Sequence, residues 1–272
     1  MSRYNRDFTL TVEADGLQIS IEPPFRVSFD AVKSVAGGLN KATIKVYNLV
    51  ERKRLALTKD TEQVKRIPVS LAVGYNGSKE VIFKGTLQRG SNSREGADIV
   101  TLLYCLDGGY DFQNSFISTT SLSAPVDDIL SELPNTQKGK ISDIQKLIRP
   151  KVLVGDASRL LGSIISDDQS WYIDNEKLYI LSYDEVVSSF VPVVSADTGM
   201  LNTPEREQSK VTFDTLMNPA LKIGGLCQVK SKTAQHLNGI YRLEAISYSG
   251  DNYGNDWQQK CTGLLQTNYK VL

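Results

Sequence analysis

An ungapped slide of 158 residues lays this sequence on itself and brings Ile82 onto Ile240, Phe83 onto Tyr241, Lys84 onto Arg242 and Ser91 onto Ser249. The same slide sets Gly96 on Gly254 and Asp98 on Asp256, and it keeps the apolar phase of the preceding run, with Val69 and Leu71 falling on Cys227 and Val229. Each stretch alternates with period two, breaks at a polar, Gly-containing segment and alternates again, the pattern of strand, turn and strand. Self-similarity at so long a period is the trace of a duplicated module. Three copies of a chain with two such modules present six similar units around an axis, so the chain can adapt three-fold to six-fold symmetry. Closing that ring takes heterologous contacts between neighbours, which also cover strand edges otherwise open to aggregation.

The rest of the first hundred residues carries the same alternation. DFTLTVE and GLQISIE read as a hairpin across Asp15-Gly16, and FRVSFDAV continues the β pattern to Gly37-Gly38. In NKATIKVYNLVERKRLAL, residues 40 to 57, a strand stops abruptly into a helix; Asn48 stands as its cap and Glu51, three residues on, completes a capping-box-like arrangement. PVSLAV, EVIFKGTLQ and ADIVTLLYCL supply three further strands. The middle differs: VDDILSEL, ISDIQKLI and DASRLLGSIISD have helical spacing, and SWYIDNEKLYIL is a hairpin across Asp174-Asn175. FVPVVSA, VTFDTLMNP, LCQVKS, GIYRLEAISYS and WQQKCTGLL then resume the β pattern. The expected fold is mainly β (α+β), with two small antiparallel β barrels, the first flanked by a helix, and a mixed α/β insertion between them. The boundaries fall at 1–109, 110–187 and 188–272, with residues 188–200 able to pack with the first barrel.

Composition gives no global charge bias, since 31 Lys+Arg balance 31 Asp+Glu in 272 residues, and predicts no basic nucleic-acid face. No apolar run approaches the roughly 20 residues of a membrane span, and the start MSRYNRDF lacks a signal-peptide core, so a cytoplasmic origin without a membrane anchor is expected. Cys105, Cys227 and Cys261 sit in apolar, strand-like runs and read as buried thiols rather than disulfides or metal ligands.

A search for chemistry finds little. The single histidine, His236, lies in the polar segment SKTAQHLNG and reads as a solvated turn residue. Nucleophile-elbow, dinucleotide and phosphate-loop signatures do not occur. The acid pairs Asp127-Asp128 and Asp167-Asp168 could serve a glycosidase-like peptidoglycan hydrolase, yet both sit at helix ends, where Asp is favoured for local reasons. DNYGND, residues 251 to 256, lacks the register and distal Glu of a calcium loop and reads as a hairpin turn. Trp171, Tyr172, Tyr179, Tyr248, Tyr253 and Trp257 could form the platform of a carbohydrate-binding module, but most occupy alternating strand positions suited to packing or subunit contact. No catalytic, cofactor-binding or metal-binding residue is assigned and no cofactor is expected.

Several phrases together carry a resemblance: ATIKVYNLVERKRLAL, VIFKGTLQRGSNSREGADIVTLLYCLDG, WYIDNEKLYILSYDE, and SADTGMLNTPEREQSKVTFDTLMNPALKIGGLCQVKS with NGIYRLEAISYSGDNYGNDW. Over nearly the whole chain the sequence resembles the tail-hub (baseplate hub) proteins of bacteriophages, whose related domains occur in type VI secretion spikes. The resemblance implies a homotrimeric ring with two tube-type barrels per chain, set between the hexameric tail tube and the trimeric central spike. It implies as partners the tail tube protein, the spike protein, and the tape-measure protein and DNA that pass through the lumen. The location implied is the virion tail baseplate or tail tip, assembled in the bacterial host cytoplasm. Some relatives carry lytic domains, but the length here leaves no room for one. The flanking helix is expected on the outside, with alternate strand faces lining a channel.

Overall fold

A computed structural model describes residues 5–14, 16–60, 65–144 and 150–272. The first segment holds β1 (Arg6–Ala14), β2 (Leu17–Ile21), β3 (Val27–Ser34), β4 (Lys41–Tyr47), α1 (Glu51–Ala56), β5 (Pro68–Tyr75), β6 (Ser78–Glu95) and β7 (Asp98–Leu106). Period-two burial runs through these strands, as in β4, where Ala42, Ile44 and Val46 are buried and their neighbours are not. The β1–β2 turn falls where Asp-Gly was expected, although Asp15 itself lies outside the described residues.

The middle segment contains α2 (Gly109–Asn114), β8 (Phe116–Ser121), α3 (Pro125–Ser131), β9 (Gln137–Ile141), β10 (Lys151–Asp156), α4 (Ala157–Ile164), β11 (Gln169–Asp174), β12 (Lys177–Ser182) and β13 (Glu185–Val186). Strands β11 and β12 form the expected hairpin, and β9 lies parallel to β12. The helical expectation for ISDIQKLI does not hold at its start, because Ile141 ends β9; residues 145–149 lie outside the described residues. This segment has its own apolar cluster, in which Ile129 and Leu161 of the helices meet Leu153, Ile173 and Ile180 of the strands.

The last segment holds β14 (Val193–Ser195), β15 (Glu205–Glu207), β16 (Lys210–Leu216), β17 (Leu226–Lys230), β18 (Gly239–Asp251), β19 (Trp257–Leu265) and β20 (Lys270–Val271). All of its strands but β20, which pairs parallel with β13, join those of the first segment in one 13-stranded sheet, ordered β15-β16-β19-β18-β3-β4-β7-β6-β5-β1-β2 with β17 on β18 and β14 on β17. One apolar cluster runs through both segments. The fold is mainly β.

Within that sheet a five-strand unit occurs twice. β3-β4-β7-β6-β5 and β15-β16-β19-β18-β17 share order and antiparallel pairing throughout. The register matches as well: Lys41 faces Leu106 and Tyr47 faces Val100, while Lys210 faces Leu264 and Leu216 faces Gln258. A bulge falls at the same place in both, between Leu87 and Arg89 and between Leu243 and Ala245. Strands β5 and β7 obey the slide of 158 onto β17 and β19, but β6 between them does not: Leu87 corresponds to Leu243, a slide of 156. The turn after β18 is two residues longer than Gly96-Ala97 after β6, which accounts for the shift. Because two residues are one full period of a strand, the in/out phase survives the error.

Candidate functional site

Where the two units meet, β3 and β18 pair antiparallel from Ser34↔Ala245 to Ser28↔Asp251, so the units are joined strand to strand. Over this seam the rings of Phe29 and Trp257 meet edge to face at 5.5 Å. Gly250 lies beneath Phe29, and a Cβ there would stand 2.4 Å from the ring, so the position requires glycine.

The longer turn of the second unit does further work. Asn252 Oδ1 accepts the Val27 N–H at 2.8 Å and its amide donates to Phe25 O at 2.9 Å, while the Tyr253 hydroxyl donates to Pro24 O at 2.9 Å. Arg6 donates to the carbonyls of Asp251 at 2.6 Å, Gly254 at 2.5 Å and Asn255 at 2.9 Å. The Arg26 guanidinium pairs with Asp251 at 2.8 Å and lies 4.4 Å over the Tyr47 ring. Burial acts to raise the Asp251 carboxyl, but Arg26 and the N–H groups of Tyr253 and Gly254 outweigh it and hold the group below the usual carboxylate range. DNYGND is therefore a clasp: its side chains and carbonyls are engaged by the first segment.

The middle segment is fastened to both units. Its β11–β12 turn, with Asn175 and Glu176 at φ 54° and 61°, presents two N–H groups to Asp107 at 2.5 and 2.7 Å. Burial raises Asp107 to about 8, against the lowering pull of Lys33. Lys33 pairs with Asp174 at 2.5 Å, and Asn40 donates to Ile173 O at 2.6 Å. Glu176 receives Arg66 at 3.0 Å and Lys84 at 2.8 Å. From the second unit, the buried Arg242 donates to Ser182 O at 2.6 Å and Glu185 O at 3.0 Å and pairs with Glu244 at 2.7 Å. Lys84 and Arg242, matched by the slide of 158, thus both reach the middle segment, although in register Arg242 corresponds to Thr86.

The expected helix cap is not formed. Val50 stands at the N-cap of α1, no side chain caps the helix, and Asn48 has a left-handed φ of 55°. The Asn48 amide instead donates to Asp98 at 2.8 Å and accepts the Ile99 N–H at 3.0 Å, tying the end of β4 to the start of β7. Glu51 begins α1 at an exposed position without joining a box. Gly96 has φ 65° in the tight β6–β7 turn, whereas Gly254 sits in the clasp and Asp256 accepts the Asp251 N–H through its carbonyl, so these matched residues do different jobs.

The features of the two alternative readings disperse. Asp127 pairs with Lys138 at 2.6 Å on the surface, Asp128 lies beside it in the first turn of α3, and Asp167 and Asp168 are exposed in the turn before β11. Trp171 is stacked on Phe112, Tyr172 on Tyr179, and Tyr248 and Trp257 are buried; only Tyr253 of the six is largely exposed, with its hydroxyl held in the clasp. His236 is exposed in a short turn, and the three cysteines are buried with thiols raised by burial. Among the described residues, no group of three or more His, Cys, Asp and Glu side chains could hold a metal ion, and no helix is long and apolar enough to cross a membrane.

A duplicated β frame whose polar side chains clasp its segments together describes a structural scaffold. The chain belongs to the family described as baseplate hub gp41, whose model matches residues 8–263. No curated protein matches the sequence. The tail protein from Neisseria meningitidis has the same fold at a TM-score of 0.65 and 10% identity, over 94% of this chain and 96% of that one. The 43 kDa tail protein of prophage MuSo2 from Shewanella oneidensis matches with the same values. An E. coli component of the type VI secretion system, itself similar to the T4 tail proteins gp27 and gp5, matches at 0.65 and 9% identity over 94% of this chain and 77% of that one. The chain is a structural component of a phage tail baseplate, not an enzyme.

Proposed function

We propose that three copies form a pseudo-six-fold ring that joins the hexameric tail tube to the trimeric central spike. The matched register of β4–β7 and β16–β19 carries this reading, because it makes the two ends of one chain near-equivalent building blocks. Each five-strand unit contributes to one tube-type barrel, α1 flanks the first on the outside, and the lumen admits the tape-measure protein and DNA. The chain divides at 1–109, 110–187 and 188–272, and the ring is built in the host cytoplasm before it joins the virion. Baseplate-hub membership and the likeness to tail and secretion-spike proteins support a place at the tube–spike junction. Native mass spectrometry of hubs released from purified tails tests the stoichiometry: a mass of three chains is expected, and one or six chains would refute the ring.

A further inference from the structure

The seam inside the chain uses one edge from each unit, while the corresponding edges of the other two strands receive no strand there among the described residues. β3 pairs with β4 on one side and β18 on the other. Among the described residues its counterpart β15 pairs only with β16 and ends the sheet. β18 pairs with β19 on one side and, over Ala245 to Asp251, with β3 on the other. Its counterpart β6 pairs with β7; beyond its pairing with β5, which stops at Thr86, its opposite edge meets Lys59 at Gly90, and the Asn92 side chain donates to Thr58 Oγ1 at 2.9 Å, but the backbone of residues 91–93 receives no strand on that side among the described residues.

We infer that β15 of one copy pairs with residues 91–93 of β6 in the next copy, repeating between chains the seam that β3 and β18 make within one. This inference rests on the ring proposed above and assigns its strand contact. Superposing the units carries Asp30, Ala31 and Val32 onto Glu205, Arg206 and Glu207, and Ser249, Tyr248 and Ser247 onto Ser93, Asn92 and Ser91. The new contact therefore places Arg206 opposite Asn92, flanked by Glu205 opposite Ser93 and Glu207 opposite Ser91.

Hydrogen-bond phase agrees at both edges. In antiparallel ladders, residues direct their N–H and C=O groups alternately to one side and the other. Glu207 and Lys210 flank a two-residue turn, so Glu205 and Glu207 bond inward to β16 and Arg206 points its backbone outward. Glu95 and Asp98 flank the corresponding turn of the first unit, so Ser93 and Ser91 bond inward to β7 and Asn92 points outward. Length agrees too. At Gly90 the free edge ends, because Lys59 exchanges both backbone hydrogen bonds with it at 3.0 and 2.8 Å. β15 is three residues long and turns away at Gln208-Ser209, one residue before it would reach Gly90.

Charge at the contact is mixed, since Arg206 would lie diagonal to Arg94, a like-charge neighbour. Glu207 would lie diagonal to Arg89, within reach across an antiparallel pair. Glu205 would lie diagonal to Glu95, whose carboxylate already pairs with Lys45 at 3.4 Å. The contact is heterologous, one strand to a different strand of the neighbour, and such contacts close into a ring.

Glu207 and Ser91 would form a non-hydrogen-bonded pair with Cα atoms about 4.5 Å apart, within disulfide reach. The test is the double variant Glu207→Cys with Ser91→Cys, oxidised in assembled tails and resolved on a non-reducing gel; the native cysteines are buried. Covalent dimers and trimers, absent from each single variant, are expected. A second variant, Arg206→Pro, removes the outward N–H without touching the β15–β16 ladder, and is expected to cut ring yield at least ten-fold while the thermal midpoint of the monomer stays unchanged. Three-chain hubs that form without any 91–207 cross-link, or with full yield for Arg206→Pro, overturn this contact and leave the ring standing. Tails that contain no multimer of the chain overturn both.

Discussion

The two five-strand units are built on one plan and used in opposite ways. At the tip of the first, Gly96 and Ala97 make the tightest turn that joins two antiparallel strands, and its surroundings are exposed. At the tip of the second, two additional residues let Asn252, Tyr253 and Gly254 reach the first segment, and the strand beneath them is covered by β3. In one duplicated frame, the longer turn accompanies a strand pairing within the chain, and the shorter turn accompanies an edge at residues 91–93 that receives no strand among the described residues.

The largest contrast is expected at the two cations that face the middle segment. Arg242→Ala leaves Glu244 and two carbonyls without their partner in a buried site and is expected to cost about 3–5 kcal/mol. Lys84→Ala, at a half-exposed ammonium, should cost less than about 1 kcal/mol. Chemical denaturation of both variants checks the pair, and equal costs would break the asymmetry.

Next come the matched positions Gly250 and Arg94. Gly250→Val drives a side chain into Phe29 and is expected to destabilise by about 1–3 kcal/mol. Arg94→Val, at the uncovered counterpart, should stay within about 0.5 kcal/mol. A shift in thermal midpoint for the first and none for the second is the expected result.

The pH responses of the two fastenings run in opposite directions. Asp251 is held low in the folded chain, so its contribution is present above the ordinary carboxylate pKa and is lost as pH falls through the depressed value. Asp107 is raised to about 8, so its contribution is present below the ordinary carboxylate pKa and is lost as pH rises through about 8. The two tryptophans report separately, Trp257 at the seam and Trp171 beside the middle hairpin. Trp171→Phe should therefore show an acid transition that Asp251→Asn removes, and Trp257→Phe an alkaline drift that Asp107→Asn removes.

The smallest effects concern α1. Asn48→Ala loses two hydrogen bonds and a left-handed backbone that Asn tolerates, at an expected cost of about 1–2 kcal/mol. Glu51→Ala should change stability by less than about 0.5 kcal/mol, since no capping box exists to lose. Urea midpoints of the two variants distinguish a strand tie from a cap.

Alternation made most strands legible, because burial on one face of a sheet writes period two directly into the sequence. The duplication was legible for the same reason, yet the slide of 158 misaligned β6 with β18 because an error of two residues preserves the phase. Asn48 shows a different failure: a polar residue before a helix fits a cap, but its φ of 55° and its reach to Asp98 depend on a strand fifty residues away. The seam was not legible at all. Nothing local distinguishes FRVSFDAV, which pairs with a strand more than two hundred residues downstream, from any other alternating run. Nor could DNYGND announce a clasp, since its partners Arg6, Arg26 and Phe25 lie at the other end of the chain.

The central claim is that one polypeptide contributes two equivalent units to a six-part ring. A reconstruction of the tail end by electron cryomicroscopy without imposed symmetry tests it most directly. Six five-strand units in alternating order from three chains, stacked against six tube subunits, is the expected density. A ring in which only the first or only the second unit of each chain takes part would contradict the account.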